Sequence, residues 1–520
     1  MRRGIAVLVT VGAVLALTGS AAARVLRVGS YHGIGGQYLT LQAAVKAAHA
    51  GDWILVGPGD YKTKPSAVSH PKGFSKFPAG VLITKARLHI RGMNRNTVIV
   101  DGTKPGSTVC SRAGNAQNFG SRVAGKPSGL NGLMVWKAPD VSIENLTTCN
   151  FLGGSQVAGN QIWWNGGEAG RIGGYGYRGT YLSATSSYFK NEATAATYGI
   201  FSSNWSGGSW DQTYASNFND SGYYIGACLQ VCNQTMSHAH AQYNALGYSG
   251  SNAGGRMLIE NSQFDHNQDG FNTNSQNGDE PSPQDGSCPG GAISPITHTH
   301  SCWVFMHNYV HDNNNPNVPS AGGAAAGPVG TGLSVSGGRN DTIMNNRFVN
   351  NDAWGAIIVN YPDTGPPCRG GTPDSPLLGK GSCLYDEWGD ALINNTFTHN
   401  GSYGNPTNGQ FEQLNFEPHP SNCFRGNVDT AGSLTRASAA LQQIYPTCTP
   451  NAVAPNLNLP FLNEVLCDSA ISVPPFGCQP GDHYPHRTRV IMHPLPDNLK
   501  TMPNPCLGVP GNPWCARLRR

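Results

Sequence analysis

An acidic segment in the middle of the chain carries residue types that could bind a metal or move a proton. Residues 264–272 read FDHNQDGFN, with Asp265 and Asp269 four residues apart, and a nearby loop adds Asp279 and Glu280. A hard cation such as Ca²⁺ takes six to eight oxygen ligands, so its carboxylates must cluster. These four residues are therefore candidate metal ligands, and Asp265 and Asp269 are also candidate acid–base residues. Solvated turn residues are the alternative.

Histidines and isolated cations supply the candidate general bases. His298 and His300 are two residues apart, so both imidazoles share a face if this segment is a strand. Such a pair could bind a transition metal or exchange protons, and hydrogen-bonded surface histidines are the simpler alternative. Lys190 and Arg256 are the remaining candidate bases, with plain surface charges as the alternative. Similar histidine groups occur at His238 and His240, and at His307 and His311 beside Asp312.

The beginning of the chain has the pattern of a secretory signal peptide. Arg2 and Arg3 precede an apolar run from Ile5 to Leu17, and residues 21–23 offer an A-x-A cleavage site. The run is too short to span a bilayer comfortably, which makes a membrane anchor the less favoured alternative. We expect residues 1–23 to be removed and the protein to be secreted.

The charge of the chain is small. Charged residues make up 12% of it, and the formal net charge of +4 includes two arginines of the predicted signal peptide. The mature chain would be nearly neutral, which argues against a nucleic acid or a membrane surface as the partner. We expect a monomer.

Fourteen cysteines in an exported chain predict disulfide bonds. Most lie in pairs that are close in sequence, so our hypothesis is sequential pairing, although spacing alone does not fix the connectivity. The pairs would be Cys110–Cys149, Cys228–Cys232, Cys288–Cys302, Cys368–Cys383, Cys423–Cys448, Cys467–Cys478 and Cys506–Cys515.

The elements that must position these residues are one helix and many short strands. Residues 40–50 have apolar residues on one face at helical spacing, with Thr40 as a candidate N-cap and Gly51 as a candidate C-terminal stop. Short apolar runs bounded by Gly-rich turns follow and predict strands. They cover residues 53–56, 81–83, 88–90 and 97–100.

The middle of the chain then repeats one pattern. Asn261, Asn345 and Asn394 each precede a Phe by three residues, and that Phe precedes a second Asn by three. A fourth copy has His307 in the first place. Repeats that cannot bury their apolar faces alone must stack, and their asparagines can then form hydrogen-bonded ladders. A β-propeller is the alternative, but the starting helix and the irregular spacing argue against it.

We therefore predict an all-β fold, a single-stranded right-handed parallel β-helix with an N-terminal capping helix and a disulfide-rich C-terminal extension. The solenoid would span residues 24–430. Residues 431–520 are rich in Pro and Cys and would form an extension or cap on its C-terminal end.

Two parts of the sequence resemble the pectin-lyase-like superfamily. Residues 40–62, TLQAAVKAAHAGDWILVGPGDYK, followed by GVLITKARLHIRGMNRNTVIVDG, are similar to its N-terminal cap and first coils. The NNxFxxN segments resemble its parallel β-helix repeats, and the resemblance covers residues 26–430. It implies the fold, but the superfamily includes lyases, hydrolases, epimerases and non-catalytic adhesins.

The resemblance also suggests a chemistry for the acidic segment. Polysaccharide lyases of this fold typically hold Ca²⁺ with several carboxylates and use a Lys or Arg as base. The segment is similar to the aspartate-rich rung of one pectate-lyase family, in which Asp269 would carry over. Gln268 and Asn272 stand where that family has two further aspartates, which removes two negative charges. Hydrolases of the fold commonly use an adjacent aspartate pair, and this sequence has no Asp-Asp.

Aromatic residues could supply a surface for sugar rings. Trp163 and Trp164 lie just before a Gly- and Tyr-rich run that contains Tyr177 and Arg178. Aromatic rings stack on sugars, and Arg178 could pair with a uronate carboxylate. Packing of a loop onto the solenoid is the alternative.

The sequence thus predicts a secreted β-helix that acts on or binds extracellular polysaccharide. The enzyme hypothesis is a uronate polysaccharide lyase, with a hydrolase or an epimerase as variants and Ca²⁺ as the cofactor. The competing hypothesis is a non-catalytic carbohydrate-binding or cell-surface module.

Overall fold

The computed structural model describes most of the chain. The described residues are 23–64, 66–68, 77–168, 171–277, 283–322, 327–375, 378–467 and 475–516. The predicted signal peptide, apart from its last residue, lies outside them, as do Asp279 and Glu280. No helix in the described part is both long enough and apolar enough to cross a membrane.

Three long sheets contain most of the strands. Sheet A consists of Val25–Val28, Trp53–Val56, His89–Gly92, Val141–Glu144, Tyr177–Thr180, Gly208–Asp211, Gln234–Ser237, Met257–Glu260, Trp303–Met306, Asp341–Met344, Ala391–Ile393 and Cys423–Arg425. Sheet B consists of Ser66–Val68, Phe77–Ile83, Asn131–Trp136, Ile162–Asn165, Tyr198–Ser203, Ser221–Gly226, Leu246–Ser251, Asp269–Asn274, Thr331–Ser336, Trp354–Val359 and Gly409–Gln413. Sheet C consists of Gly59–Lys62, Val98–Asp101, Thr147–Cys149, Ser183–Thr185, Tyr214–Ser216, His240–Gln242, Gln263–Asp265, Tyr309–His311, Arg347–Val349, Thr396–Thr398 and Val428–Asp429.

The minor elements lie in the connections and at the ends. Short additional strands are Ser30–Tyr31, Ile34–Gly35, Arg122–Val123, Lys126–Pro127, Gly174–Tyr175, Trp205–Ser206, Tyr361–Thr364, Thr372–Pro373 and Ser382–Tyr385. The α-helices are Leu41–Ala47, Arg436–Ile444 and Leu459–Val465, and the 3₁₀ turns are Gly114–Ala116, Glu192–Thr194 and Pro289–Gly291.

Each coil of the chain passes from sheet A to sheet C to sheet B and then returns to sheet A. Neighbouring strands within each sheet come from successive coils and run parallel, apart from Ser66–Val68, which is antiparallel to Phe77–Ile83. This is the predicted right-handed parallel β-helix. Side chains alternate along each strand, so one set fills the interior and the other forms rows on the outside.

The connection from sheet A to sheet C is a two-residue turn in most coils. Its first residue adopts the left-handed conformation, with φ of 50° at Asn261, 56° at Asn345 and 53° at Asn394. Asn tolerates this conformation better than most residues. The first Asn of the repeat therefore shapes the turn, and the residue after it points inward.

Two asparagine ladders run along the solenoid, as the repeat predicts. At the turn between sheets A and C, the side-chain amide of Asn346 donates to Oδ1 of Asn395 at 3.0 Å, and Asn395 donates to Asn427 at 3.1 Å. At the next corner, Asn267 donates to Asn313 and Asn313 donates to Asn351, both at 3.0 Å. Each rung also satisfies backbone groups of neighbouring coils, so the ladders fix the register between coils.

A third ladder contains acids where asparagines would fit. The backbone N–H of Asp341 donates to Oδ1 of Asp390 at 2.8 Å, and that of Asp390 donates to Oδ1 of Asn422 at 3.0 Å. Burial, reinforced by a neighbouring acid, raises the pKa of Asp341 and of Asp390 well above the ordinary range. In this position a protonated carboxyl takes the place of a carboxamide.

Both ends of the solenoid are covered. Helix Leu41–Ala47 is capped by Thr40, whose hydroxyl accepts from the Ala43 N–H, and it packs Leu41 and Val45 into the core. The helix ends at Ala47, four residues before Gly51, where the sequence suggested it would end. At the other end Ser438 and Gln442 of helix Arg436–Ile444 bond to the last coil, and Gln442 terminates an asparagine ladder.

The C-terminal extension does more than cover the last coil. Helix Leu459–Val465 packs Phe461 on Trp354 there. Residues 483–516, which we name the strap, then return along the solenoid to its first coils. The strap forms hydrogen bonds in turn with Asn405, Asn317, Asn217, Asn96, Arg95, Asn145, Arg91 and Ile34. Its return to the N-terminal end was not anticipated from the sequence.

All fourteen cysteines are paired, and the seven disulfides are those that sequential pairing predicts. Cys506–Cys515 closes a small loop of the strap near the first coils, where Trp514 donates to the carbonyl of Ile34.

Replacing Asn395 by Ala should lower the free energy of unfolding by roughly 2–4 kcal/mol, because it leaves backbone and side-chain partners on two coils unsatisfied. Its amide bonds to Ile343, Asn346 and Asn427. Urea unfolding would measure the change, with Thr396→Ala as the control. Equal effects of the two substitutions would show that the ladder does not hold the coils.

Asp390→Asn should stabilise the protein near pH 7 by about 1–3 kcal/mol, because it supplies the neutral group that the ladder requires. The folded-state pKa of Asp390 is raised, so ionisation in the unfolded state weakens folding as the pH rises above about 4. The gain should therefore shrink as the pH is lowered towards 4. Asp374→Asn in an exposed loop is the control, and a loss of stability at pH 7 in D390N would contradict the account.

Candidate functional site

The outward face of sheet A carries a row of polar and aromatic side chains near the N-terminal end. In register across successive strands stand Trp53, His89, Ser142, Arg178 and Ser209. Strands in a sheet are about 4.8 Å apart, so this row places five different side chains within about 20 Å.

The row lines an open cavity with a volume of about 880 Å³. Sheet A forms its floor, and the strap forms one wall with Met502, Pro503, Asn504 and Leu507. Cavities of about 300–1,000 Å³ are typical of sites for small molecules or for a short segment of a longer ligand.

A buried ion pair organises the floor of the cavity. Glu144 is 1% exposed, and its Oε2 lies 2.7 Å from Nε and 2.6 Å from Nη2 of Arg91. The same carboxylate lies 3.2 Å from Nε of Arg178, whose side chain is 61% exposed. Arg91 also donates to the carbonyls of Pro505 and Leu507, so it ties the strap to the floor. Glu144 therefore holds one buried and one accessible guanidinium.

His89 lies beside this ion pair in a fixed orientation. Its ring stacks on Trp53 with centroids 4.4 Å apart and an interplanar angle of 21°, and its Nδ1 is 3.0 Å from Oγ of Ser142. Burial lowers the pKa of His89, and the charges of Arg91 and Arg178 lower it further against the opposing effect of Glu144. The imidazole is therefore neutral at neutral pH.

The four predicted sugar-binding residues do not share one surface. Arg178 is in the cavity, and Tyr177 borders its floor with its ring stacked on Trp164 at 4.7 Å. Trp164 is buried in the core. Trp163 points outward on sheet B, where it stacks on Phe201 with centroids 4.9 Å apart.

Asp265 is the centre of a second polar cluster, on the outward face of sheet C. Its carboxylate accepts hydrogen bonds from His240, His266 and Gln242, each at 2.6 Å, and from Gln263 at 3.0 Å. Burial opposes ionisation, but the bonds from His240 and His266 outweigh it, so the pKa of Asp265 lies well below its ordinary value. The bond to Asp265 raises the pKa of His266.

The other predicted catalytic and metal residues that the structure describes do not join this cluster. Asp269 is fully buried at the start of a sheet B strand, and burial raises its pKa well above the ordinary range. Lys190, Arg256, His298 and His300 are exposed on the surface. Their roles as bases remain predictions.

Asp265 and Asp269 do not form the predicted Ca²⁺ site together, and the other two predicted ligands, Asp279 and Glu280, lie outside the described residues. Four hydrogen-bond donors already occupy the oxygens of Asp265, while Asp269 lies in a separate buried environment. In the described part of the chain, the one group of three potential ligands close enough for a metal is Asp101 with Cys110 and Cys149. Those cysteines form a disulfide and Asp101 pairs with Lys62, so this group is not a metal site.

Comparisons with known proteins add little beyond the fold. No protein family matches the sequence, and no curated protein is similar to it. Among solved structures, the chain is similar to the A-module of mannuronan C-5 epimerase AlgE6 from Azotobacter vinelandii, with 13% identity and a TM-score of 0.45 over 76% of this chain and 95% of that one. It is also similar to pectate lyase Pel9A, with 13% identity and a TM-score of 0.37 over 80% and 78% of the two chains. An alginate lyase from Paenibacillus sp. has 11% identity and a TM-score of 0.35 over 79% and 97%. The fold assignment above depends on the strand topology, not on these similarities.

Sequence reasoning missed His89, Ser142 and Glu144. The three residues meet because His89 and Ser142 are paired across neighbouring strands although 53 residues separate them. In the predicted strand 88–90, the apolar residues Leu88 and Ile90 would point inward. Alternation then predicts that His89 points outward, and this was the signal in the sequence.

Asp265→Asn should return the pKa of His266 towards its ordinary value, because the carboxylate that raises it is removed. Folding should also weaken at pH 7. Because the pKa of Asp265 is lower in the folded state than in the unfolded state, ionisation of Asp265 stabilises the folded state above about pH 4. This contribution disappears as the pH falls towards the pKa of Asp265 in the folded state. NMR titration of the histidine ring protons measures the first effect. An unchanged His266 titration would contradict the assigned hydrogen bonds.

Proposed function

We propose that the protein is exported and binds an extended, carboxylate-bearing polysaccharide, with one acidic sugar held in the cavity on sheet A. The observation that supports this most directly is the accessible guanidinium of Arg178, which Glu144 holds in place at the cavity floor. A planar guanidinium forms paired hydrogen bonds with a carboxylate, and a fixed one loses little conformational freedom on binding.

The rest of the cavity suits a sugar. Tyr181 supplies aromatic surface, and Asp140 and Ser209 supply hydrogen-bonding groups at the lining. Rows of outward side chains continue on sheet A beyond the cavity, so a ligand with a repeating structure could extend along the solenoid. A polysaccharide has that form, whereas a small metabolite would use the cavity alone.

The proposed export is supported by the signal-peptide pattern and by the seven disulfide bonds, which persist in oxidising compartments. The mature chain is nearly neutral, so attraction of an acidic polysaccharide depends on the local guanidinium rather than on a general positive field. We therefore expect binding to be moderate in strength and sensitive to salt.

Arg178→Ala should weaken binding to a polyuronate by about 10- to 100-fold, because a charge-assisted pair with the ligand is lost. Affinity electrophoresis in gels containing polygalacturonate, alginate or a neutral glucan would measure it. Arg347→Ala is the matched control, since Arg347 is exposed on sheet C over the ring of Tyr309.

Equal retardation of the wild type by neutral and acidic gels would contradict an acidic ligand. Equal binding by R178A and the wild type would remove the cavity from the proposal. Retention of binding in EDTA is expected, because the proposed contact is a direct pair between the Arg178 guanidinium and a carboxylate of the ligand.

A further inference from the structure

The cavity on sheet A contains a hydroxyl and an imidazole in the arrangement of a nucleophile and its base. Oγ of Ser142 is 3.0 Å from Nδ1 of His89, and both residues line the cavity. The two side chains are in register on adjacent parallel strands, so the sheet rather than a loop sets their separation. Pairs on rigid strands hold their geometry better than pairs on loops.

The surroundings of His89 favour the neutral imidazole, which can accept a proton. Trp53 stacks on one face of the ring and fixes its plane. The charged groups that face it are Arg91 from its own strand, Glu144 from the next strand and Arg178 from the strand after that. The strap segment on this cavity brings Met502, Pro503, Asn504 and Leu507, none of which is charged. A neutral imidazole can accept the Ser142 proton, whereas an imidazolium cannot.

We propose that Ser142 is the nucleophile and His89 the base of an esterase site that removes small acyl groups from sugar hydroxyls. The choice of an acidic polysaccharide as the carrier of these esters rests on the proposed function. The Ser142–His89 pair does not depend on it.

The reaction balances without a cofactor. Oγ of Ser142 attacks the ester carbonyl carbon and its proton passes to Nδ1 of His89. The bond from that carbon to the sugar oxygen then breaks, and His89 returns the proton to the sugar oxygen, leaving an acyl-serine. Water attacks the carbonyl carbon of this ester and gives a proton to His89. The bond to Oγ breaks, His89 passes that proton to Oγ, and the carboxylic acid leaves with Ser142 restored.

The neighbouring Arg178 gives the site a means of choosing its substrate. Arg178 is paired in register with Ser142, one strand away at about 4.8 Å. A sugar ring spans a similar distance. A carboxylate on Arg178 would therefore place a hydroxyl ester of the same or the adjacent sugar near Oγ of Ser142.

A fluorophosphonate probe tests the nucleophile without any glycan, because it reacts with serines that a base activates. We expect the wild type to be labelled at Ser142, identified by mass spectrometry of the modified peptide. Ser142→Ala should lose that label. Ser237→Ala is the matched control, because Ser237 is also on sheet A but its hydroxyl bonds to Asp211 rather than to a histidine.

The base is tested by its own variants. His89→Gln should slow labelling by about 100-fold or more, as expected for the loss of a general base. Added imidazole should restore part of the rate in His89→Ala, which a purely structural role of His89 would not allow. Labelling of the wild type should also fall as the pH drops below the lowered pKa of His89. Circular dichroism confirms folding of each variant.

The outcomes separate this inference from the binding proposal. Absence of label at Ser142 in the folded wild type, or equal rates in wild type and H89Q, would overturn the esterase site while leaving polyuronate binding intact. Labelling at Ser142 that depends on His89 would support the site even if R178A binds polyuronate normally, in which case Arg178 would not select the substrate.

Discussion

Asparagine side chains that bond from one coil to the next hold the solenoid in a single register, and the other features of the molecule depend on this constraint. Each amide in the ladders through Asn395 and Asn313 serves two neighbouring coils at once. A slip by one residue would turn every inward side chain outward. Because the register is fixed, residues far apart in sequence stand side by side on the outer faces.

The cavity on sheet A is one product of that register. His89, Ser142 and Arg178 come from three different coils and occupy equivalent outward positions. Burying Glu144 beneath them would be costly alone, but two guanidiniums compensate its charge. One of these, Arg91, also holds the strap. The ion pair thus connects the chemistry of the cavity to the packing of the C-terminal extension.

Much of the fold could be predicted because the signals are local. The capping helix, the strand Trp53–Val56 and the turn asparagines follow from short-range patterns. The disulfides match the hypothesis of sequential pairing, although Cys110 and Cys149 are 39 residues apart. The path of the strap could not be predicted, because residues 483–516 have little periodicity. They form hydrogen bonds to the solenoid mainly through single side chains and carbonyls. The disagreement over the end of the first helix at Ala47 shows that Gly51 serves a turn beyond the helix.

The site was harder to predict because it depends on neighbours across strands. Trp163 and Trp164 look equivalent in sequence, but alternation places one outside on sheet B and the other in the core. The acidic segment suggested a metal site, whereas the structure surrounds Asp265 with hydrogen-bond donors from neighbouring coils. The number of residues in each coil decides which residues become neighbours across strands. Loops of irregular length prevent that number from being read from the sequence.

Hydrogen–deuterium exchange with and without a soluble polyuronate would locate the ligand on the intact protein. We expect slower exchange in strands His89–Gly92, Val141–Glu144 and Tyr177–Thr180 and in strap residues 502–508. Protection confined to sheet B or sheet C, or no protection at saturating ligand, would contradict this expectation.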